Sequence, residues 1–129
     1  MAYGIGPVSG CHINPAITIS MLVAGKISIV DTVGYVVAQM IGAVIAAWVL
    51  YTIQSGMPGF TMGEWALGSN GWGAGYLGEY SQGAAFLTEA VMTFLFLFVI
   101  FATTSKMGNA NMAGLAIGLT LVLIHMVAI

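Results

Sequence analysis

Few side chains in this sequence can do chemistry, and those few hydrogen-bond better than they react. The densest group is Ser9-Gly10-Cys11-His12-Ile13-Asn14-Pro15-Ala16-Ile17-Thr18, and beyond it Gln39, Glu89 and His125 stand singly in apolar runs. No nucleophile–base pair and no metal-ligand cluster is present, so neither an enzyme, a metal centre nor a cofactor is expected. Asn14-Pro15 is a helix start: Asn caps free backbone N–H groups, and Pro at the first helical position has its φ preset and loses no bond. The helix it opens runs apolar to about Ala24, where Gly25 and Lys26 end it. Residues 14–24 then measure roughly 16 Å at 1.5 Å per residue, about half of a hydrocarbon core. A capped apolar helix too short to span, entered through a Gly-rich stretch read as extended, is a re-entrant half-helix.

The surroundings must be lipid. Of 129 residues 60% are hydrophobic and 5% charged, whereas a soluble domain carries about a quarter of its residues as charges. Mean hydropathy is +1.02. A soluble enzyme and a disordered chain are thereby excluded. Net charge is −2, and the two cations, Lys26 and Lys106, are far apart in sequence, so no nucleic-acid partner is expected. The single cysteine, Cys11, allows no intrachain disulfide. At about 20 residues per crossing the chain holds three spans and a remainder.

The elements that must position the polar residues follow from hydropathy. A first span covers Thr32 to Gln54, with Gly34, Ala38, Gly42 and Ala46 forming a small-residue stripe suited to helix packing. Residues 55–83 are too rich in glycine for a long helix and form an outer loop, whose Trp65, Trp72, Tyr76 and Tyr80 suit the headgroup interface. A second span covers Ala84 to Thr104. A polar turn from Lys106 to Asn111 leads to a third from Met112 to Ile129, with Gly114 and Gly118 in a GxxxG arrangement. Two crossings put Lys26 and Lys106 on one side, the cytoplasmic one by the positive-inside rule, while the long loop has no cation. No basic segment, apolar core and cleavage site follow Met1, so no signal peptide is read there.

Irregular backbone survives at membrane depth only where protein or water satisfies it, so the carbonyls of Gly10, Cys11, His12 and Ile13 are expected to face an aqueous path. The half-helix N-terminus carries about half a positive charge, which repels cations and protons and spares neutral solutes. The Asn14 amide adds donors for a passing oxygen. Gln39, the lone amide of the first span, is expected to bond a pore loop or a neighbouring helix.

The string from Ser9 to Thr18 resembles the first Asn-Pro-Ala loop of the aquaporin family, and the rest of the chain looks most like its bacterial water-channel branch. Val33-Gly34-Tyr35-Val36-Val37-Ala38-Gln39, Thr88-Glu89 and Leu123-Ile124-His125 support the resemblance, which covers essentially the whole chain. It implies an all-α membrane protein, a right-handed helical bundle with a re-entrant half-helix, here three spans plus one half-helix. It implies passive water conduction in the cell membrane, with homotetramers as the assembly. Asn14, Pro15 and Ala16 take the first motif, and residues 10–13 the ladder of backbone carbonyls, the His12 side chain holding the loop. Glu89 matches the fourth-helix carboxylate that accepts hydrogen bonds from the second pore loop. Solvation among the headgroups is its plainer reading. His125 matches the fifth-helix histidine of the aromatic/arginine filter and favours water over glycerol. Cys11 stands where the family commonly has Gly or Ala and is expected to line or narrow the conduit.

The departures concern absent parts. The chain has no Arg and no second Asn-Pro-Ala. Met1-Ala2-Tyr3-Gly4 resembles the end of a second helix and Ile129 a point inside the fifth, so the chain is expected to be the central portion of a longer channel. Two other functions stay open at this point: a facilitator of glycerol or small neutral solutes, and a non-conducting structural membrane protein or inactive fragment.

Overall fold

The computed structural model describes residues 1–63 and 66–128; Glu64, Trp65 and Ile129 lie outside the described residues. Five helices follow in order: α1 (Ala2–Ser9), α2 (Pro15–Val23), α3 (Ile29–Ser55), α4 (Gln82–Thr103) and α5 (Ala110–Ala128). Two single 3-10 turns, Ala66–Gly68 and Leu77–Glu79, punctuate the long loop, and there is no strand among the described residues. Three helices are long and apolar enough to cross a membrane: α3 with 27 residues, α4 with 22 and α5 with 19. At 1.5 Å per residue α3 measures about 40 Å, more than a hydrocarbon core of about 30 Å, so it tilts or emerges into the headgroups.

Side-chain caps, rather than the edges of hydropathy, set where these helices start. Ser28 Oγ accepts the Asp31 N–H at 3.0 Å and donates to the Asp31 carboxylate at 2.7 Å, which moves the start of α3 ahead of Thr32 to Ile29. Asp31 thus sits in the first turn, where the helix dipole favours an anion. Ser81 Oγ accepts from Ala84 N–H at the head of α4, and Asn109 Oδ1 from Asn111 N–H at the head of α5.

The stretch ahead of the half-helix differs from the extended segment its glycines suggest. Ala2–Ser9 is helical through Gly4, Gly6 and Pro7, and it stops only at Gly10, whose φ of 72° no β-branched residue would accept at low cost. Glycine costs a helix about 1 kcal/mol against alanine, but unpaired backbone costs several kcal/mol per group in lipid. The larger penalty decides, and only residues 10–13 are left irregular.

Packing is thin, as a lipid-solvated bundle allows. Ile17 of α2 meets Phe96 and Ile100 of α4 in a small buried cluster, with Met21, Leu97, Ile117 and Ile124 against it. The half-helix is therefore wedged between α3 and α4. α4 and α5 form a hairpin whose turn needs Gly108, since a Cβ there would collide with the carbonyls of Ala102 and Thr103. Outward rings such as Phe94, 66% exposed, and Phe98, 64% exposed, have lipid tails for solvent and gain nothing from burial.

Candidate functional site

Residues 10–13 make an irregular turn of left-handed backbone between α1 and α2. Gly10, Cys11 and Ile13 have φ of 72°, 53° and 50°. For Cys11 and the β-branched Ile13 a left-handed backbone costs of order 1–3 kcal/mol each, and it persists only where neighbours fix it.

Thr18 is the centre of what fixes it. Its side chain is wholly buried, at 0% exposure. The hydroxyl donates to Asn14 O at 3.2 Å and accepts from Gln39 Nε2 at 2.9 Å, with His12 Nδ1 3.3 Å away. With the one hydroxyl proton committed to Asn14, His12 donates through a protonated Nδ1. Tyr35, one turn before Gln39 on α3, donates its hydroxyl to Ser9 O at 2.7 Å and lies against the His12 ring, centroids 5.1 Å apart. Ser9, His12, Asn14 and Thr18 are thus tied to one face of α3. Gln39 Oε1 is buried and has no partner among the described residues.

At the head of α2, Asn14 is extended, with φ −146° and ψ 125°, and its Oδ1 accepts the Ala16 N–H at 2.8 Å while Pro15 takes the first helical position. This cap fixes the amide orientation: the oxygen is occupied, and the exposed side chain offers its NH2 donors outward. Cys11, His12 and Ile13 line an open groove of about 860 Å³ along α3. Gly34, Ala38, Gly42 and Ala46 form the floor of that groove, and a methyl group on Gly34 or Gly42 would meet nothing within 4 Å.

Glu89 and His125 take no part in this network. Glu89 is exposed in the second turn of α4, without a hydrogen-bond partner among the described residues. It borders a cavity of about 720 Å³ shared with Trp72 and Tyr80 of the loop and Val127 and Ala128 of α5. His125, also exposed, donates from Nδ1 to Leu121 O at 2.7 Å, and its Nε2 has no hydrogen-bond partner among the described residues. No hydrogen bond links Asn14, Glu89 and His125 among the described residues. The two glycines of α5 separate in role: Gly114 carries the Tyr3 ring, which a Cβ would meet at 2.7 Å, while Gly118 faces open space. Lys26 Nζ lies 5.0 Å over the Phe101 ring near the end of α4, and Lys106 follows in the next turn, so both lysines stand at one end of the bundle.

Sequence reasoning assigned no part to Thr18, Tyr35 or Tyr3. The signals exist: Thr18 is one turn after Asn14, and Tyr35 and Gln39 are i, i+4 partners on an otherwise apolar helix, so the two project to one face.

Among the described residues, three helices long and apolar enough to cross a membrane, gathered about a short, Asn-capped helix, define an all-helical, multi-pass membrane protein. Residues 1–129 match the family profile described as "Major intrinsic protein", and the chain belongs to that family. Among curated relatives it is 49% identical over 129 residues to the protein named aquaporin Z of Bradyrhizobium diazoefficiens, a match covering all of this chain and 53% of that one. Identity is 46% to aquaporin Z of Rhodopseudomonas palustris and 44% to aquaporin Z of Brucella melitensis biotype 1, again over the whole chain and over 53% and 56% of theirs. The chain spans about half the length of these relatives.

Proposed function

We propose that the protein conducts water passively across a cell membrane, along a path that passes the N-terminal end of α2. The observation that carries this reading is the Asn14 cap. With Oδ1 turned to the Ala16 N–H, the side chain presents its two N–H donors away from the helix, and it does so at the positive end of a helix packed among apolar ones. A water passing there turns its oxygen toward Asn14 and cannot take a proton from that group, and a cation meets about half a positive charge. A neutral molecule pays neither penalty.

The other residues take supporting parts. The strained backbone of residues 10–13 needs water or protein for its polar groups at membrane depth and serves as the carbonyl ladder. Gln39 and Glu89 hold pore loops. His125, whose Nε2 has no partner among the described residues, forms the filter that favours water over glycerol. In this reading α1 is the end of the family's second helix, α2 its first half-helix, and α3 to α5 its third to fifth helices. The lysine end is cytoplasmic by the positive-inside rule, and four copies assemble. The names of the three relatives support water as the permeant.

Stopped-flow shrinkage of proteoliposomes holding the full-length protein tests this. Water efflux is expected to exceed that of protein-free vesicles by about tenfold without a proton leak. Equal rates with and without protein would overturn the reading, and glycerol entry matching water flow would replace it with a solute facilitator.

A further inference from the structure

The Tyr3 hydroxyl makes a contact that the water path does not use. It donates to Asn111 O at 2.8 Å and accepts from Leu115 N–H at 3.0 Å. Asn111 and Leu115 are the i and i+4 members of one turn of α5, so the phenol oxygen bonds both ends of a single turn of an unbroken helix. The ring has a seat there because residue 114 is glycine: a Cβ on Gly114 would approach the ring to 2.7 Å.

Tyr3 lies on α1, which continues directly into the strained turn at Gly10, Cys11 and Ile13. α5 carries His125, ten residues beyond Leu115 and about 15 Å farther along the axis at 1.5 Å per residue. One hydroxyl therefore clamps the element that leads into the motif to the element that bears the filter histidine. α1 meets the first turns of α5 here, since the ring sits on Gly114 and both polar bonds fall on Asn111 and Leu115.

We propose that Tyr3 is a positioning residue for solute selectivity: its hydroxyl, bonded to the first turns of α5, holds α5 against α1 and so sets the line along which His125 is presented. This rests on the reading of His125 as the filter. Without the hydroxyl, the polar tie between α1 and the first turns of α5 is lost, and α5 is free to shift against α1. His125 then samples more positions, and discrimination against a solute larger than water falls.

The experiment compares Tyr3→Phe with Gly114→Ala in the full-length protein, measuring water and glycerol permeability of proteoliposomes at equal protein content together with the melting temperature in detergent. Tyr3→Phe keeps the ring on Gly114, so the melting temperature is expected to hold while the glycerol-to-water permeability ratio rises about threefold or more. Gly114→Ala displaces the ring and its hydroxyl together, and the ratio is expected to rise with it. A Tyr3→Phe ratio equal to that of the unsubstituted protein, with or without an effect of Gly114→Ala, overturns the inference, because the hydroxyl then positions nothing. Failure of the underlying reading shows separately, as His125→Ala leaving the ratio unchanged.

Discussion

The node around Thr18 and the outer ends of α4 and α5 use the same kinds of polar side chain under opposite conditions. In the node, Ser9, His12, Asn14, Thr18, Tyr35 and Gln39 exchange hydrogen bonds across three successive segments, and the central hydroxyl is fully buried. At the outer ends, Glu89 is exposed, and His125 bonds only to its own helix one turn back. The first arrangement fixes a backbone and makes stability depend on each partner. The second leaves a side chain presented outward, so that its removal touches what passes it more than what holds the helix.

The sharpest break of that contrast is Thr18→Val, which keeps the shape and deletes the hydroxyl. Gln39 Nε2 and His12 Nδ1 would each lose a buried acceptor, at about 1–3 kcal/mol per orphaned group. A loss of about 3 kcal/mol or more is expected in chemical unfolding in detergent, with water permeability lost alongside. Gln39→Leu should cost less, about 1 kcal/mol, because it removes a buried oxygen that is already unpaired together with the one bond to Thr18. A double-mutant cycle of Thr18→Val with Gln39→Leu is expected to give a coupling of about 1 kcal/mol, as residues of one network do. Additivity would mean that the node is not a network.

The outer half should respond in permeation instead. His125→Ala is expected to change unfolding by no more than about 0.5 kcal/mol, as surface substitutions do, while glycerol entry increases several-fold. A comparable loss of stability would erase the distinction between the two regions. Cys11 gives a chemical version of the same comparison, because it is partly exposed and lines the groove at the strained turn. Mercurial treatment is expected to block water flow through the unsubstituted protein and to spare Cys11→Ser, read as shrinkage rates before and after the reagent. Unchanged flow after verified labelling of Cys11 would remove that side chain from the conduit.

Much of this was legible in the residues because lipid imposes few solutions. Asn14-Pro15 marked the head of α2, and the helix there begins at Pro15 under an Asn14 cap. The crossing helices followed from apolar runs, since any other backbone conformation leaves unpaired groups in hydrocarbon. The helix through Ile5–Ser9 is not legible in the residues, because Gly6 and Pro7 argue against a helix in water, whereas unpaired backbone in lipid costs more. The start of α3 at Ile29 is not legible from hydropathy, because Ser28 and Asp31 look like polar connector although they form a cap. Thr18 and Tyr35 went unassigned because their partners come from another helix, and hydropathy carries no information on which faces meet. The same holds for Tyr3, whose partners are more than a hundred positions away.

The bonds that hold the strained turn fall within residues 9–39, and this bears on how the chain is made. A ribosome delivering the sequence from its N-terminus exposes Gln39 well before Phe96 or Ile100. The polar ties from α3 to the half-helix can therefore close during synthesis, over short loops with little entropy to lose. The short helix is then docked on α3 while α4 is still to come, and the apolar seal from Phe96 and Ile100 closes over an arrangement already set.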